Sequence, residues 1–202
     1  MNYLSIDTSG KNLTIIIEKD GKTYSYFDAE CGVNHSVNLM PRVSELAKEV
    51  GFDFNEADFF ACVVGAGSFT GIRIGVATVK AMCFAFNKPC LSITSFDTLA
   101  YNTQGKVLAV IDAKHNGFYV CGYDNHKVDF EPSYIMKDQL LELQKNYQTV
   151  VSSTAISDID TKIVSVKDGL IKAIQAKKDQ ISWDIETLSP LYVRKSQAEE
   201  GR

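Results

Sequence analysis

Val63-Val-Gly-Ala-Gly-Ser-Phe-Thr-Gly-Ile-Arg-Ile-Gly75 is the stretch of this chain that decides its fold. An apolar strand predicted at 59–64 enters the stretch, and a helix predicted at about 71–86 leaves it. Gly65 and Gly67 permit a positive φ and a close approach of other backbone. The stretch therefore predicts a strand, a tight glycine-rich turn and a new helix, which is a common unit of α/β proteins.

The turn has features of an anion site but lacks a standard nucleotide-binding pattern. Ser68 and Thr70 are residue types preferred at helix N-caps, and a helix N-terminus attracts anions. The glycine spacing is one residue longer than the dinucleotide pattern, and Gly71 precedes Ile72 where a phosphate-binding loop carries lysine. A turn without any ligand and a turn that receives an anion or a partner's backbone therefore both stay open.

Strands and helices alternate along the chain, which predicts an α/β protein. Asp20-Gly21 is a strong β-hairpin signal. The predicted strands lie at 3–6, 13–18, 22–27, 59–64, 90–94, 106–111, 118–123 and 148–152. The predicted helices lie at about 34–50, 71–86, 95–102, 137–147 and 168–178.

The chain contains an internal echo that predicts two lobes. One strand ends in Ile6-Asp7 and a later one ends in Ile111-Asp112, and each is followed by a turn and a hairpin. The echo predicts two lobes built on one plan. We expect an N-terminal lobe at 1–103 and a smaller C-terminal lobe at 104–202 that ends in a polar tail.

Composition restricts the class of protein. Hydrophobic residues make up 45% and charged residues 23% of 202 residues, with a net charge of −4, which argues against nucleic-acid binding through a broad basic face. No basic region opens the chain and no apolar run approaches the length of a membrane span. Five cysteines occur without a C-x-x-C pair, which predicts free thiols in the cytoplasm.

Few residues are arranged for catalysis. His35 is followed four residues later by Leu39, so no helical pair of metal ligands forms and no metal site is expected. Asp7 and Asp112 each end a strand. Strand-end carboxylates can hold hydrated Mg²⁺ beside a phosphate, but aspartate also caps turns readily, and capping is the preferred interpretation.

Two helices carry more apolar surface than a simple amphipathic helix needs. The 71–86 helix is apolar on nearly every side, and Val37 and Met40 widen the apolar face of the 34–50 helix. Such helices are buried in a protein's own core or covered by a partner, and both alternatives remain. The candidate partner-interface residues are Val37, Met40, Ile72, Ile74, Val76 and Val79.

Several segments resemble one known family. The stretch from Gly65 to Gly75 is similar to the G-P-G-S-F-T-G-[LI]-R-[IV]-G signature of the bacterial TsaB (YeaZ) proteins, with Ala66 in place of the usual proline. The resemblance extends in order over nearly the whole chain. Its other segments are Leu4-Ser-Ile-Asp-Thr-Ser9, His35-Ser36, Ser95-Phe-Asp-Thr-Leu-Ala100, Ile111-Asp-Ala113 and Pro190-Leu-Tyr-Val-Arg194.

The resemblance implies a two-lobed actin-like, Hsp70-like (ASKHA) fold with two ribonuclease-H-like lobes. It also implies kinship with TsaD, the catalytic paralogue, whose two metal-binding histidines would align with Ser95 and Leu99. Because neither residue is histidine, the resemblance implies a subunit that is not itself an enzyme and has no resident cofactor, with weak adenine-nucleotide binding left open.

The family role implied is a dimerisation subunit that binds and activates TsaD, which modifies the adenosine next to the anticodon of tRNA. The implied partners are a TsaD-type paralogue, a TsaE-type ATPase and a second copy when the chain is alone, with tRNA reached only through the complex and no membrane. The residues proposed for nucleotide or partner contact are Asp7, Thr8, Ser9, Gly65, Gly67, Ser68, Thr70, Gly71, Arg73 and Asp112. The rival prediction is a weak ATPase or sugar-kinase-like phosphotransferase that uses Asp7, Asp112 and the glycine-rich turn. A protease is a third alternative, for which the sequence offers neither a metal pair nor a catalytic triad.

Overall fold

The structure is a computed structural model that describes residues 1–194, and these residues divide into two compact units. The first unit comprises Met1–Ile93 and Ile174–Leu191. The second comprises Thr94–Ala173 and continues from Tyr192. The division differs from the expected lobes because the second unit begins at Thr94, not at 104, and because a late segment returns to the first unit. The predicted polar tail lies mostly outside the described residues.

The first unit is a five-stranded mixed sheet with two long helices. Its strands follow the order β3-β2-β1-β4-β5, in which β1 is antiparallel to β2 and parallel to β4. The elements are β1 (Tyr3–Asp7), β2 (Leu13–Lys19), β3 (Lys22–Asp28), α1 (His35–Val50), β4 (Phe59–Val63), α2 (Phe69–Phe86) and β5 (Cys90–Ile93).

The second unit repeats this plan, with strand order β10-β9-β6-β7-β8. Three antiparallel strands are again followed by two parallel ones. This confirms the α/β fold with two ribonuclease-H-like lobes. The elements are α3 (Ser95–Ala100), β6 (Lys106–Asp112), β7 (Gly117–Asp124), β8 (Lys127–Met136), α4 (Lys137–Leu143), β9 (Thr149–Ser152), β10 (Thr161–Ile163) and α5 (Val166–Ala176).

Strands β8 and β10 were not predicted from the sequence. Strand β8 contains Pro132 and several charged residues, which weaken a strand pattern. Strand β10 has only three residues, which is too short for an alternating pattern to be seen. Both strands form because neighbouring strands offer hydrogen-bonding partners, a tertiary effect.

The core of the first unit lies between the sheet and the two helices. Val43 on α1 and Val79 on α2 are fully buried in one cluster with Leu4, Ile6 and Ile15 of the sheet. Both helices therefore pack on the same face of the sheet, where they contact each other. Each helix keeps an outward side, and those sides form one surface of the unit.

Helix α2 corrects one expectation about membranes. By length and composition this 18-residue helix is apolar enough to cross a membrane, with a mean hydropathy of 1.4, whereas no such run was expected. A core helix passes the same test, so the finding is weak evidence for a membrane. The helix packs on β4 and β1 in the core of the first unit.

Candidate functional site

The glycine-rich turn joins β4 to α2 as expected, and α2 begins at Phe69, slightly earlier than predicted. Ser68 is the N-cap, and its hydroxyl oxygen accepts a hydrogen bond from the Gly71 N–H at 3.2 Å. Gly65 and Gly67 both have positive φ values, of 116° and 151°. The predicted cap and the predicted need for glycine are therefore both confirmed.

The space beside the glycines is filled by the chain's own backbone. A Cβ at Gly67 would overlap the carbonyl oxygen of Ser9, and a Cβ at Gly71 would overlap that of Thr8. The Ser68 N–H donates to the Ser9 carbonyl at 2.7 Å. The turn that follows β1 thus packs directly against the start of α2, and the backbone that the glycines admit is that of Thr8 and Ser9.

The side chain of Thr8 ties the same turn to α2. Its hydroxyl donates to the Gly71 carbonyl at 2.7 Å, and a Cβ at Gly75 would lie only 2.6 Å from that hydroxyl oxygen. Gly71 and Gly75, which are one helical turn apart, therefore leave the space in which the Thr8 side chain packs. Of the remaining loop candidates, Thr70 and Arg73 are exposed on the first turns of α2, and the Arg73 guanidinium lies 6.0 Å from the centre of the Phe69 ring.

Asp7 is buried and holds the turn after β1. Its Oδ1 accepts hydrogen bonds from the Ser9 N–H at 2.8 Å and the Ser9 hydroxyl at 2.7 Å. Burial raises the pKa of the Asp7 carboxyl, and hydrogen bonds from Ser9 and Asn12 together with the charge of His35 offset part of that rise. This geometry is the turn-capping arrangement that was expected for aspartate at a strand end.

Asp112 caps the corresponding turn of the second unit. Its carboxylate accepts from the Lys114 N–H at 2.7 Å and pairs with the Lys114 ammonium at 2.7 Å. Burial alone would raise the pKa of Asp112, but the hydrogen bonds and charge of Lys114 outweigh it and leave the pKa below its ordinary value. Both strand-end aspartates therefore stabilise their own turns.

The six candidate interface residues separate into two groups. Val37 and Met40 are exposed on α1, and Ile74 is partly exposed on α2. Ile72, Val76 and Val79 are buried against the sheet in the core of the first unit. The prediction that these three residues face a partner is corrected, because side chains that fill the monomer core cannot also form its surface.

Two exposed apolar residues were missed. Val33, just before α1, is 95% exposed, and Phe84, near the end of α2, is 83% exposed. The spacing of Phe84 from Ile74, in steps of three and four residues through Ala77 and Ala81, was available in the sequence as a signal. We define the outer face as the outward residues of both helices together with Val33 of the turn before α1, namely Val33, Val37, Met40, Ile74, Ala77, Ala81 and Phe84.

Comparison with known proteins places the chain in a family. The family model for TsaD, tRNA N6-adenosine threonylcarbamoyltransferase, matches residues 29–168. The tRNA threonylcarbamoyladenosine biosynthesis protein TsaB of Escherichia coli K12 is 23% identical over 98% of this chain and 96% of its own length. The chain belongs to the TsaB (YeaZ) family, and the TsaD family model matches more than half of its length. The Bacillus subtilis TsaB is 30% identical over 59% of this chain, and the match spans about half, 53%, of that protein.

Solved structures of TsaB/YeaZ type share the fold. A Pseudomonas aeruginosa protein described as similar to peptidase YEAZ superimposes with a TM-score of 0.80 at 20% identity, covering 96% of this chain and 99% of that chain. YeaZ from the same organism gives a TM-score of 0.73 at 20% identity, covering 95% and 99%. At this identity the likeness concerns the fold, and it agrees with the two ribonuclease-H-like units described above.

The positions that would align with the TsaD metal ligands are packed in this member of the TsaB family. Ser95 and Leu99 are buried on α3. Between them, the carboxylate of Asp97 accepts from the Thr94 N–H at 2.8 Å and the Tyr123 hydroxyl at 3.0 Å. Within residues 1–194, no group of three or more His, Cys, Asp or Glu side chains is arranged to hold a metal ion.

Proposed function

We propose that this protein is a non-catalytic subunit of the machinery that makes threonylcarbamoyladenosine in tRNA, acting in the cytoplasm. In this role it binds a TsaD-type paralogue and activates it, while tRNA is reached only through the complex. A TsaE-type ATPase joins the assembly. The observation that carries the proposal is the apolar outer face of α1 and α2 in a chain of the TsaB family.

The composition of the outer face suits a protein partner. Met40 of α1 and Phe84 of α2 are large apolar side chains exposed on two adjacent helices, and Val33 is exposed in the turn before α1. Ala77 and Ala81 between Ile74 and Phe84 let another helix approach closely. Exposed apolar surface of this kind marks interaction sites, and an aromatic anchor within it is typical of binding hot spots.

The glycine-rich turn supports a structural role and not a catalytic one. The backbone carbonyls of Thr8 and Ser9 occupy the space beside Gly67 and Gly71, so electronegative oxygen lies where a phosphate would need donors. The carboxylates of Asp7 and Asp112 are used by their own turns. We therefore assign these residues to holding the first turn of α2 in place, which in turn positions the outer face.

Activation then follows from binding energy. If the outer face contacts only the active conformation of the paralogue, binding shifts the paralogue toward that conformation by the difference in affinity. No residue of this chain needs to touch the reacting atoms. The effect on the paralogue's activity should therefore saturate with the same midpoint as complex formation.

The test is co-elution of the purified chain with the TsaD-type paralogue of the same cell on a sizing column, with and without adenine nucleotide. We expect a complex with the wild type and its loss in Phe84→Glu and Met40→Glu, because each places a charge in an apolar contact. Threonylcarbamoyltransferase activity of the mixture should fall in parallel.

Val128→Glu is the matched control, since Val128 is apolar and 46% exposed but lies on β8 of the second unit. It should co-elute like the wild type. Absence of co-elution by the wild type under every nucleotide condition would exclude the proposed role. If Val128→Glu loses binding and Phe84→Glu keeps it, the outer face is not the surface that binds the paralogue.

A further inference from the structure

A groove on the first unit lies between α1 and the outermost strand of the sheet, β3. Its volume is about 190 Å³, and its lining includes Tyr24 and Tyr26 of β3 and the carboxylates of Glu45 and Glu49 of α1. Both tyrosines pack against the core of the unit, which holds their rings in place. Aromatic rings and carboxylates are the groups with which proteins bind lysine and arginine side chains.

The chain's own Arg42 occupies one half of this groove. Its guanidinium lies 5.2 Å from the centre of the Tyr26 ring and pairs with Glu45 at 2.6 Å. In the described part of the chain, no cationic side chain forms an ion pair with Glu49. Two carboxylates therefore face one guanidinium, and the half of the groove at Tyr24 and Glu49 has room for a second cation.

Helical spacing separates the groove from the outer face. Arg42, Glu45 and Glu49 follow one another at steps of three and four residues, which places them on one side of α1. Val37 and Met40 of the outer face lie on the opposite side, and the buried residues of α1 lie between the two. A ligand in the groove therefore uses a surface that the proposed function leaves free.

Strand β3, which borders the groove, is also an open edge of its sheet. All seven of its residues pair with β2 without a bulge or a proline, and in residues 1–194 no strand pairs with its outer side. The other three sheet edges are protected. Ser182 pairs beside β5, β8 carries Pro132 and an irregular register, and β10 has only three residues. A long, regular edge strand is a template for another strand.

The hairpin turn identifies the groups on that open edge. Asp20 and Gly21 have φ values of 52° and 75°, which is the two-residue type I′ turn. In such a hairpin the pair that flanks the turn is hydrogen bonded, and hydrogen-bonded pairs then alternate along the strands. The backbone N–H and C=O groups of Thr23, Ser25 and Phe27 therefore point away from β2.

We propose that β3 and the groove together bind an extended segment of another protein that carries lysine or arginine at two alternate positions. The segment adds to the open edge as an antiparallel strand, with its central residue opposite Ser25. Successive side chains of a strand point to opposite faces, so the two basic side chains lie opposite Tyr24 and Tyr26, on the face that α1 covers. There they enter the groove beside Glu45 and Glu49.

The dimensions of a sheet allow this arrangement. An added strand lies about 4.8 Å from β3, and residues directly opposite each other have Cβ atoms about 5 Å apart. Lysine and arginine side chains are long enough to cross the tyrosine rings from that distance and reach the carboxylates of α1. In strand addition the backbone hydrogen bonds supply affinity, and pockets for alternate side chains supply specificity. The negative excess of the groove selects basic residues and rejects acidic ones.

A synthetic peptide tests the proposal on the full-length protein. The probe is acetyl-Thr-Val-Lys-Thr-Arg-Val-Thr-amide with a fluorescent label, and binding is measured by fluorescence anisotropy. We expect a dissociation constant of about 100 μM or tighter. In NMR spectra the backbone amides of Thr23, Ser25 and Phe27 should shift on binding, because these N–H groups gain acceptors.

Three peptide controls separate the charge from the backbone. Glutamate in place of the lysine and the arginine should abolish binding. N-methylation of the central threonine should also abolish binding, because that N–H faces the edge. N-methylation of the lysine should be tolerated, because in an antiparallel pair the N–H groups of neighbouring residues point in opposite directions.

Matched variants of the protein test the same two features. Glu49→Lys should weaken binding of the basic peptide about fivefold and improve binding of the glutamate peptide. Glu56→Lys is the control, because Glu56 is exposed on the first unit but does not line the groove. Ser25→Pro removes an outward N–H and should abolish binding, while Ser25→Ala should not. Thermal unfolding verifies that each variant is folded.

Four results would overturn the proposal. They are no binding at a peptide concentration of about 1 mM, equal binding of the basic and glutamate peptides, binding that survives Ser25→Pro, and amide shifts along the edge that follow protein concentration without peptide. The last result would show that a second copy covers the edge. The inference does not rest on the proposed function: Phe84→Glu should bind the peptide like the wild type, and Ser25→Pro should bind the TsaD-type paralogue. Loss of paralogue binding with intact peptide binding would overturn only the proposed function.

Discussion

The hydroxyl of Thr8 donates a hydrogen bond to the carbonyl oxygen of Gly71 at 2.7 Å, although 63 residues separate the two in the chain. The carbonyl oxygen of Thr8 fills the space that a Cβ at position 71 would need, and its hydroxyl does the same at Gly75. The glycines of the signature therefore serve close packing between the β1 turn and α2. The same contact fixes the first turn of the helix that carries Ile74 and Phe84.

Replacing Gly71 by alanine should destabilise the protein by about 1–3 kcal/mol, because the new methyl group meets backbone that cannot rotate away. Helix propensity alone predicts the opposite sign, a gain of about 1 kcal/mol for Gly→Ala within a helix. Urea unfolding measures the difference. Thr70→Ala, one residue earlier and exposed, should change stability by about 0.5 kcal/mol or less. A stabilised Gly71→Ala protein would show that the contact with Thr8 is not tight.

Ile72 and Ile74 should behave differently although they are the same residue type two positions apart. Ile72 is buried in the core and Ile74 is partly exposed on the outer face. Ile72→Ala should cost about 2–5 kcal/mol, whereas Ile74→Ala should cost on the order of 1 kcal/mol. Binding of the TsaD-type paralogue, measured well below the unfolding temperature, should weaken about tenfold in Ile74→Ala and little in Ile72→Ala. Weaker binding in Ile72→Ala than in Ile74→Ala would show that Ile72, and not Ile74, contacts the paralogue.

Asp7 should give the stability a recognisable pH dependence. Burial raises its pKa in the folded state above the ordinary value of 3.8, so the folded protein binds the proton more tightly than the unfolded chain. The stabilising contribution of Asp7 is then fully present at low pH and is lost as the pH rises through the raised pKa, by about 1.4 kcal/mol for each tenfold difference in proton affinity.

The measurement is urea unfolding of the wild type and Asp7→Asn at steps from about pH 4 upward. Asparagine keeps an oxygen that accepts from Ser9 but cannot ionise. The free energy of unfolding of the wild type, relative to the variant, should fall as the pH rises. A rise with pH would show that the ionised carboxylate is the favoured form in the folded protein.

The isolated chain should not hydrolyse ATP by means of Asp7. The carbonyls of Thr8 and Ser9 occupy the glycine-rich turn, and position 72 is isoleucine where a phosphate-binding lysine would be needed. An assay with Mg²⁺ should give the same phosphate release for the wild type and Asp7→Asn. Turnover that disappears only in Asp7→Asn would support the rival ATPase or phosphotransferase prediction.

The sequence by itself determined much of the local structure and the family. Asp20-Gly21 predicted its hairpin because few other residues accept positive φ at both positions of the turn. Ser68 and Thr70 predicted a helix start within a few residues, because a cap acts over only three or four residues, and Ser68 is the N-cap of α2. The strand, aspartate and hairpin echo predicted two units on one plan, because the same local pattern leads to the same supersecondary unit.

Only the tertiary structure decided which apolar residues of α2 face inward. Helical spacing puts Ile72, Val76 and Val79 on one side of α2 and Ile74 on another. Because both sides are apolar, the spacing does not tell which side faces the core. The boundary between the units could not be predicted from the sequence either. Residues 174–191 belong to the first unit, where Ser182 pairs with Cys90, which is distant in the chain. Such long-range partners leave no local signal.

In the glycine-rich turn, too, the sequence determined one part of the structure and the tertiary contacts determined the other. The sequence determined that Gly65, Gly67 and Gly71 permit something to approach closely, because glycine has no Cβ. What approaches was decided by the order β3-β2-β1-β4-β5, which sets β1 beside β4 and so brings Thr8 and Ser9 to the start of α2. That order also leaves β3 at one edge of the sheet. Strand order arises from contacts between distant segments, and therefore no single stretch of sequence contains it.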